Sequence, residues 1–211
     1  EHQSHTKREH SKRILICNAK SVFFDKLVVN NQRKRNGCKG ARHNKGHINV
    51  GGGLGIRYDA PDKFPVPDFN LYFATYAENL KLHPGQHVHF ELGRSIVAQC
   101  GTLVTRATYV KRGTCKQFVI VDAGMNDLIR PALYDAYHRI ENIVSSKPDE
   151  VYDVVGPVCE SSDVFCKDCK IPATERGDLL VIRSAGAYGE AMAFGYNCRE
   201  LPKAVLSTDL R

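Results

Sequence analysis

Apolar and polar positions follow two different patterns along this chain, and the change falls near residue 100. Between His47 and Arg94 the pattern is that of a strand, a loop, a helix and a second strand. Ile48-Asn49-Val50 reads as a strand end running into Gly51-Gly52-Gly53-Leu54-Gly55. A loop rich in Pro and Asp covers Asp59 to Pro67. Asp68 is then suited to cap a helix from Phe69 to Leu80, with apolar Leu71, Tyr72, Ala74, Tyr76 and Leu80. Pro84-Gly85 marks a turn, and His87 to Leu92 reads as a strand ending at Gly93-Arg94. From Thr102 the chain becomes mostly β. Leu103–Val110, Gln117–Asp122, Tyr152–Cys159 and Asp178–Arg183 are short β-rich runs between turn residues, interrupted by one helical insert at Asp127–Ile140.

Residues 1–47 predict no organised element beyond two short apolar runs, Ile14–Cys17 and one near Val22–Val29. Asn30 to Gly46 is dense in Asn, Arg, Lys and Gly and reads as loop or disorder. The boundaries expected from these patterns are 1–47, 48–95 and 96–211. The middle piece suits the tail of an α/β barrel, where function gathers at strand C-termini, and the last is a mostly-β domain.

Composition adds one correction to this picture. The net charge of +7 is uneven: residues 1–47 hold twelve Lys/Arg against three Asp/Glu, and residues 48–211 hold eighteen against twenty. The basic character is local to the first segment, and no aromatic interleaving organises it, so a solvated tail is favoured over a nucleic-acid arm. No apolar run is long enough to span a membrane. The chain begins at Glu1, which reads as a fragment or processed product. Eight cysteines are present, and without a secretory signal they are expected as thiols. Cys166 and Cys169 form a C-x-x-C that could supply half a zinc site, but no second pair stands at a usual spacing, so no metal is expected.

Five motifs carry candidate chemistry. Gly51, Gly52 and Gly53 after a strand let backbone N–H groups approach an anion with no Cβ in the way, although a tight turn would look the same. Glu91-Leu92-Gly93-Arg94 places a carboxylate and a guanidinium at a strand end. In Asp122-Ala-Gly-Met-Asn-Asp127-Leu-Ile-Arg130-Pro-Ala-Leu-Tyr134, Arg130 and Tyr134 share a helix face, suited to a substrate carboxylate. Cys159-Glu160-Ser161-Ser162-Asp163 sets a thiol beside acids. Ala185-Gly186-Ala187-Tyr188-Gly189 flanks a tyrosine with small residues.

Taken in this order, the motifs closely resemble the diaminopimelate decarboxylases, within the wider class that acts on ornithine, diaminopimelate and arginine. The likeness runs from about Ile48 to Thr208, and the run Ile129 to Tyr134 favours the diaminopimelate branch. The resemblance implies an alanine-racemase-like fold, with the end of a barrel that binds pyridoxal 5'-phosphate followed by a mostly-β domain. It implies that Gly51, Gly52 and Gly53 cradle the cofactor phosphate and that Glu91 faces the pyridinium nitrogen. Gly93, Arg94 and Tyr188 would complete the cofactor contacts. Arg94, Arg130 and Tyr134 would hold the substrate's distal end, Tyr188 would touch the substrate as well as the cofactor phosphate, and Glu160 would hold the substrate's distal amino group. Cys159 would be the catalytic proton donor. Cys159 and Glu160 would enter the site from a partner subunit, so a homodimer is implied.

Two residues depart from the family's pattern: Leu92 stands for a proline, and Ser162 for a glycine whose loss would matter only at positive φ. The family's cofactor-binding lysine has no counterpart in residues 1–47. The expected activity is therefore decarboxylation of meso-2,6-diaminopimelate to L-lysine by the lineage. The alternative for this chain is an inactive remnant or a dimerisation partner of intact subunits. The expected compartment is the cytoplasm, or an organelle in a plant.

Overall fold

The computed structural model describes residues 14–17 and 46–210. In chain order its elements are β1 (Ile14–Cys17), β2 (His47–Asn49), α1 (Phe69–Asn79), β3 (His87–His89), α2 (Arg94–Val97), β4 (Gly101–Arg112) and β5 (Gln117–Val121). They continue with α3 (Arg130–Tyr134), β6 (Ile140–Asn142), β7 (Asp149–Val155), β8 (Val164–Pro172), β9 (Leu179–Ile182) and β10 (Lys203–Leu206). Eight strands form one mixed sheet in the order β10-β1-β4-β5-β7-β8, with β9 also on β4 and β6 on β9. The long β4 makes this possible. Its residues 103–106 pair with β9 and residues 107–112 with β5, so one strand belongs to both parts of the sheet and draws it toward closure.

Alternation along β4 sets the inside of this sheet. Gly101, Leu103, Thr105 and Ala107 face inward, and residues between them are less buried. They meet Val119 and Val121 of β5, Tyr152 and Val154 of β7, Phe165 and Ile171 of β8, and Leu180 and Ile182 of β9. Thr105 is buried among them at little cost, because its Oγ1 donates to Asp122 Oδ1 (2.5 Å) and accepts from the Ala123 amide (2.9 Å).

The first region is built otherwise. β2 and β3 form a separate two-stranded parallel sheet, joined through α1. Asp68 caps α1 as expected, accepting from the Leu71 amide at 2.8 Å. No barrel is present among the described residues, so the expected barrel end is confined to this strand–helix–strand piece.

Four differences from the sequence pattern have local causes. The helical insert is one turn, not Asp127–Ile140. Asp127 is tied into a loop, accepting from the Gly124 amide, and Asp135 at φ 50° ends the helix, after which the chain runs extended into β6. The strand expected through Leu92 stops at His89, opposite Asn49 and two residues short of Glu91, whose amide donates to the carbonyl of Gly51 at its turn (φ 71°). β8 escapes the apolar pattern because Lys167 and Asp168 sit at a bulge in it. Ile14–Cys17, an isolated apolar run in sequence, pairs with both β4 and β10. The run near Val22–Val29 and the other basic residues of 1–45 lie outside the described residues.

Candidate functional site

The glycine run turns at the end of β2, held from three sides. The Gly51 amide donates to Asn49 Oδ1 (2.8 Å), and its carbonyl accepts from the Glu91 amide (2.8 Å). Tyr72 of α1 donates to the Gly52 carbonyl (3.2 Å). Gly51 and Gly53 have φ of 71° and 92°, which favour glycine, and a Cβ on Gly52 would lie 2.5 Å from the Glu91 carbonyl oxygen. The amides of Gly52 and Gly53 find no acceptor among the described residues, and the space where side chains of Gly51 and Gly53 would stand is open. Backbone donors arranged in this way can receive an anion. Glu91 stands beside them, with Oε1 accepting from Asn49 Nδ2 at 2.7 Å.

Arg94, Arg130, Tyr134 and Tyr188 come together around one cavity of about 640 Å³, with Tyr58, Ala136, Tyr137 and Met192. Arg130 is its fixed point. It is buried, one Nη donates to the Tyr58 hydroxyl (2.7 Å), and the guanidinium sits 5.5 Å from the Tyr58 ring centroid and 5.7 Å from that of Tyr188. The same Nη lies 3.2 Å from His138 Nε2, while His138 Nδ1 lies 2.9 Å from the Arg183 carbonyl. A carbonyl can only accept, so Nδ1 carries the proton and Nε2 takes the Arg130 N–H. Burial, above all, holds His138 neutral, with its pKa lowered to about 4.

Tyr188 reaches this cavity through strain and close packing. Its φ is 64°. A Cβ on Gly186 would lie 2.0 Å from the Val97 carbonyl oxygen, and one on Gly189 would lie 2.2 Å from that of Ala185. The small residues of this motif therefore let the backbone pass at contact distance and aim the tyrosine. Its hydroxyl ends 4.0 Å from where a Cβ on Gly93 would be, linking the cavity to the end of β3.

Cys159 and Glu160 do not line this cavity. Both are exposed on the loop after β7. Asp163 builds that loop: its buried carboxylate accepts from the Met125 amide and the Val158 amide, each at 2.7 Å. Gly156 packs so closely on it that a Cβ would lie 2.3 Å from the carboxylate oxygens. Burial nevertheless raises the Asp163 pKa, because desolvation outweighs these amide bonds. Glu160 accepts from the Tyr196 hydroxyl at 2.5 Å. Ser162 is not among the residues at positive φ, so its replacement of glycine leaves the backbone unstrained.

The acids Asp122 and Asp127 bond neighbouring amides and side chains, Asp127 also pairing with Arg199 at 3.3 Å, and neither lines the cavity. Asp122 accepts from Thr105 and the Arg106 amide, and Asp127 from the Gly124 amide. Tyr58, Asn49 and His138 were not singled out from the sequence. Tyr58 follows the glycine run in a loop, and only the fold brings it 72 positions along the chain to Arg130. Among the described residues no group of three or more His, Cys, Asp or Glu is placed to hold a metal, and no helix is long and apolar enough to cross a membrane.

Comparison with known proteins gives a consistent result. The family described as pyridoxal-dependent decarboxylase, C-terminal sheet domain, matches residues 11–186. A diaminopimelate decarboxylase of Bacteroides thetaiotaomicron is 57% identical over 197 residues, covering 93% of this chain and 48% of that protein. The crystal structure of diaminopimelate decarboxylase from Helicobacter pylori complexed with L-lysine is 41% identical, with a TM-score of 0.64, over 78% of this chain and 40% of that one. The crystal structure of diaminopimelate decarboxylase from M. jannaschii has a TM-score of 0.67 at 38% identity, over 77% of this chain and 38% of that one. The chain thus spans about half the length of the curated relative or less.

Proposed function

Because this chain belongs to the pyridoxal-dependent decarboxylases, whose C-terminal sheet domain it carries, we propose that the protein it represents decarboxylates meso-2,6-diaminopimelate to L-lysine. The observation that carries the reading is the cavity: Arg94, Arg130, Tyr134 and Tyr188, drawn from three separate motifs, converge on it. Its volume of about 640 Å³ lies within the usual range for small-molecule sites. Two arginines and two phenols are a donor set for a carboxylate at the far end of an amino acid.

The residues present also fit pyridoxal 5'-phosphate. The cradle of Gly51, Gly52 and Gly53 would offer a phosphate the Gly52 and Gly53 amides, which have no acceptor among the described residues, with Gly93, Arg94 and Tyr188 as further contacts. Glu91 would hold the proton on the ring nitrogen, its carboxylate kept in place by Asn49. When bound, the cofactor supplies an electron sink for the charge left at the substrate carbon. In this reading residues 48–95 are the end of a barrel that binds the cofactor.

Cys159 and Glu160 are exposed on a rigid loop outside their own subunit's cavity. This supports a homodimer in which each loop completes the partner's site. Glu160 would then take the substrate's distal ammonium, and the Cys159 thiol would deliver a proton from Sγ to the carbon that loses carbon dioxide. The reading places the enzyme in the cytoplasm, or in an organelle in a plant, and gives nucleic acid and membrane no part.

Carbon dioxide release by the complete protein from diaminopimelate, against ornithine and arginine, tests this proposal. Preference for diaminopimelate, lost on Arg130→Ala, is expected; turnover of ornithine alone would overturn it. The second reading, a sheet domain that only serves intact subunits, draws on the same outward loop. Release of carbon dioxide by the isolated 211-residue chain would exclude it.

A further inference from the structure

The Cys166 and Cys169 pair has no part in the cavity, and its geometry is unusual for a strand. In a straight strand residues three apart point to opposite faces, with Cα atoms roughly 10 Å apart, too far for a disulfide. β8 is not straight here. Cys166 lies opposite Val154 and Cys169 opposite Tyr152, so two steps along β7 face three steps along β8. Lys167 and Asp168 together oppose Asp153, which makes a bulge, and Asp168 takes the left-handed φ of 51°.

The bulge has two consequences. Val154 and Tyr152 are two apart and both fully buried, so they share the inner face of the sheet. Their opposite numbers, Cys166 and Cys169, share it too, and both pack against the core. Residues two apart on a strand have Cα atoms about 6.6 Å apart, and the two cysteines inherit that spacing, inside the range a disulfide bridges. The bulge itself is pinned. The Asp168 amide donates to Asp153 Oδ1 (2.8 Å), and Lys116 Nζ bonds both Asp153 (2.9 Å) and Asp168 (3.3 Å).

We propose that Cys166 and Cys169 form a reversible intrachain disulfide, in exchange with low-molecular-weight disulfides of the glutathione class. In the first step the Cys166 thiolate attacks a sulfur of the small disulfide. A mixed disulfide forms, and one small thiolate leaves. In the second step Cys169, giving up its proton, attacks the Cys166 sulfur and expels the second small thiolate. Two protein thiols are oxidised, one small disulfide is reduced to two thiols, and the two protons pass to the departing thiolates. The order follows from the effect of each thiol on the other: Cys169 beside Cys166 lowers the pKa of Cys166, while that of Cys169 is raised by Cys166 and by burial. β8 packs on α3, so the bond would form behind the helix that carries Arg130 and Tyr134.

The test is equilibration of the full chain with mixtures of oxidised and reduced glutathione, acid quenching, alkylation, and mass spectrometry after trypsin. Trypsin cuts after Lys167, between the two cysteines, so the bond holds two peptides together until reductant is added. Fragmentation then assigns it to Cys166 rather than Cys159. The expected result is a Cys166–Cys169 bond that forms and reverses with the glutathione ratio. Cys166→Ser and Cys169→Ser should each leave the remaining cysteine as a thiol or a glutathione adduct. Recovery of both cysteines as alkylated thiols in excess oxidised glutathione, while exposed Cys115 and Cys198 carry adducts, would overturn the proposal. Bonding of either one to a different cysteine would do the same.

Discussion

Residues 46–93 and residues 98–187 differ in what holds them. The second region encloses the hydrophobic core, from Ala98 to Ala187, closed by strand pairing on several sides. In the first region only Pro61 is buried. No residue of α1 is buried, Leu71 is 64% exposed, and Tyr72, Phe73 and Tyr76 pack mainly on one another and on Phe90. What fixes the first region to the second is a set of polar tethers. Arg130 holds Tyr58, Gln99 the Pro61 and Phe64 carbonyls, Arg139 the Asp59 carbonyl, and Arg183 pairs with Asp62. The glycine run and Glu91 therefore sit on a unit without a core of its own, while Arg130, Tyr134 and Tyr137 of the cavity are set by a unit with one.

The largest expected effect breaks this contrast directly. Leu180 is fully buried on β9, and Leu180→Ala should cost about 2–5 kcal/mol of unfolding free energy, the usual range for truncating a core leucine. Leu71→Ala, of the same chemistry on exposed α1, should stay within about 0.5 kcal/mol. Denaturant midpoints for the two variants decide the matter. Equal losses would mean that α1 shares the cooperative core.

The seam between the regions is expected to respond to acid. His138 is neutral in the fold, with its pKa lowered to about 4 from 6.5. The unfolded chain therefore binds a proton below 6.5 that the folded chain refuses, and stability falls as pH drops from about 6.5 toward 4. A gap of this size corresponds to about 3 kcal/mol at its limit. Asp163 acts in the opposite direction, since its raised pKa favours the folded state as it protonates. The slope due to His138 is accordingly the difference between wild type and His138→Gln across that window. Identical slopes in the two proteins would show that His138 does not resist protonation.

A smaller effect separates the glycines of the two regions. A Cβ on Gly186 meets the Val97 carbonyl and the Gly101 amide, whereas one on Gly55 meets nothing within 4 Å. Gly186→Ala should cost about 1–3 kcal/mol, in the range of overpacking, and should displace Tyr188 from the cavity. Gly55→Ala should leave the melting temperature unchanged. Thermal unfolding compares them, and a neutral Gly186→Ala would mean that this crossing of backbones is loose.

What the sequence disclosed followed the same division. Helix α1 was legible because an aspartate cap and local periodicity specify it without tertiary help. The main strands β4, β5 and β9 were legible because each alternates or runs apolar, and β7 was legible only in part: the run expected over Tyr152–Cys159 is strand to Val155 and loop beyond it. Strand β8 was hidden by Lys167 and Asp168, whose bulge is specified by Asp153 on β7 and by Lys116 in the connection between β4 and β5. The helix after Asp127 looked long because apolar spacing cannot announce the left-handed Asp135. Within the site, Arg130 and Tyr134 could be paired by helical spacing. Tyr58 and His138 could not, because their partners are distant in sequence and their roles arise from burial.

The smallest effect expected tests whether a local device can fail without global loss. Asp68 accepts from the Leu71 amide at 2.8 Å and so satisfies one of the free donors at the start of α1. Removing such a cap typically costs about 1 kcal/mol of helix stability. In a helix that forms part of a core, that loss would appear in global unfolding. Here α1 buries no residue, so it should open locally before the sheet does. Asp68→Ala should therefore speed amide exchange across Phe69–Asn79 about fivefold, the rate equivalent of that cap energy, since each 1.4 kcal/mol is a factor of ten. Exchange in β4, β5 and β7 and the global denaturant midpoint should both stay put. A matching shift of the midpoint would instead tie α1 to the sheet and erase the difference between the two regions.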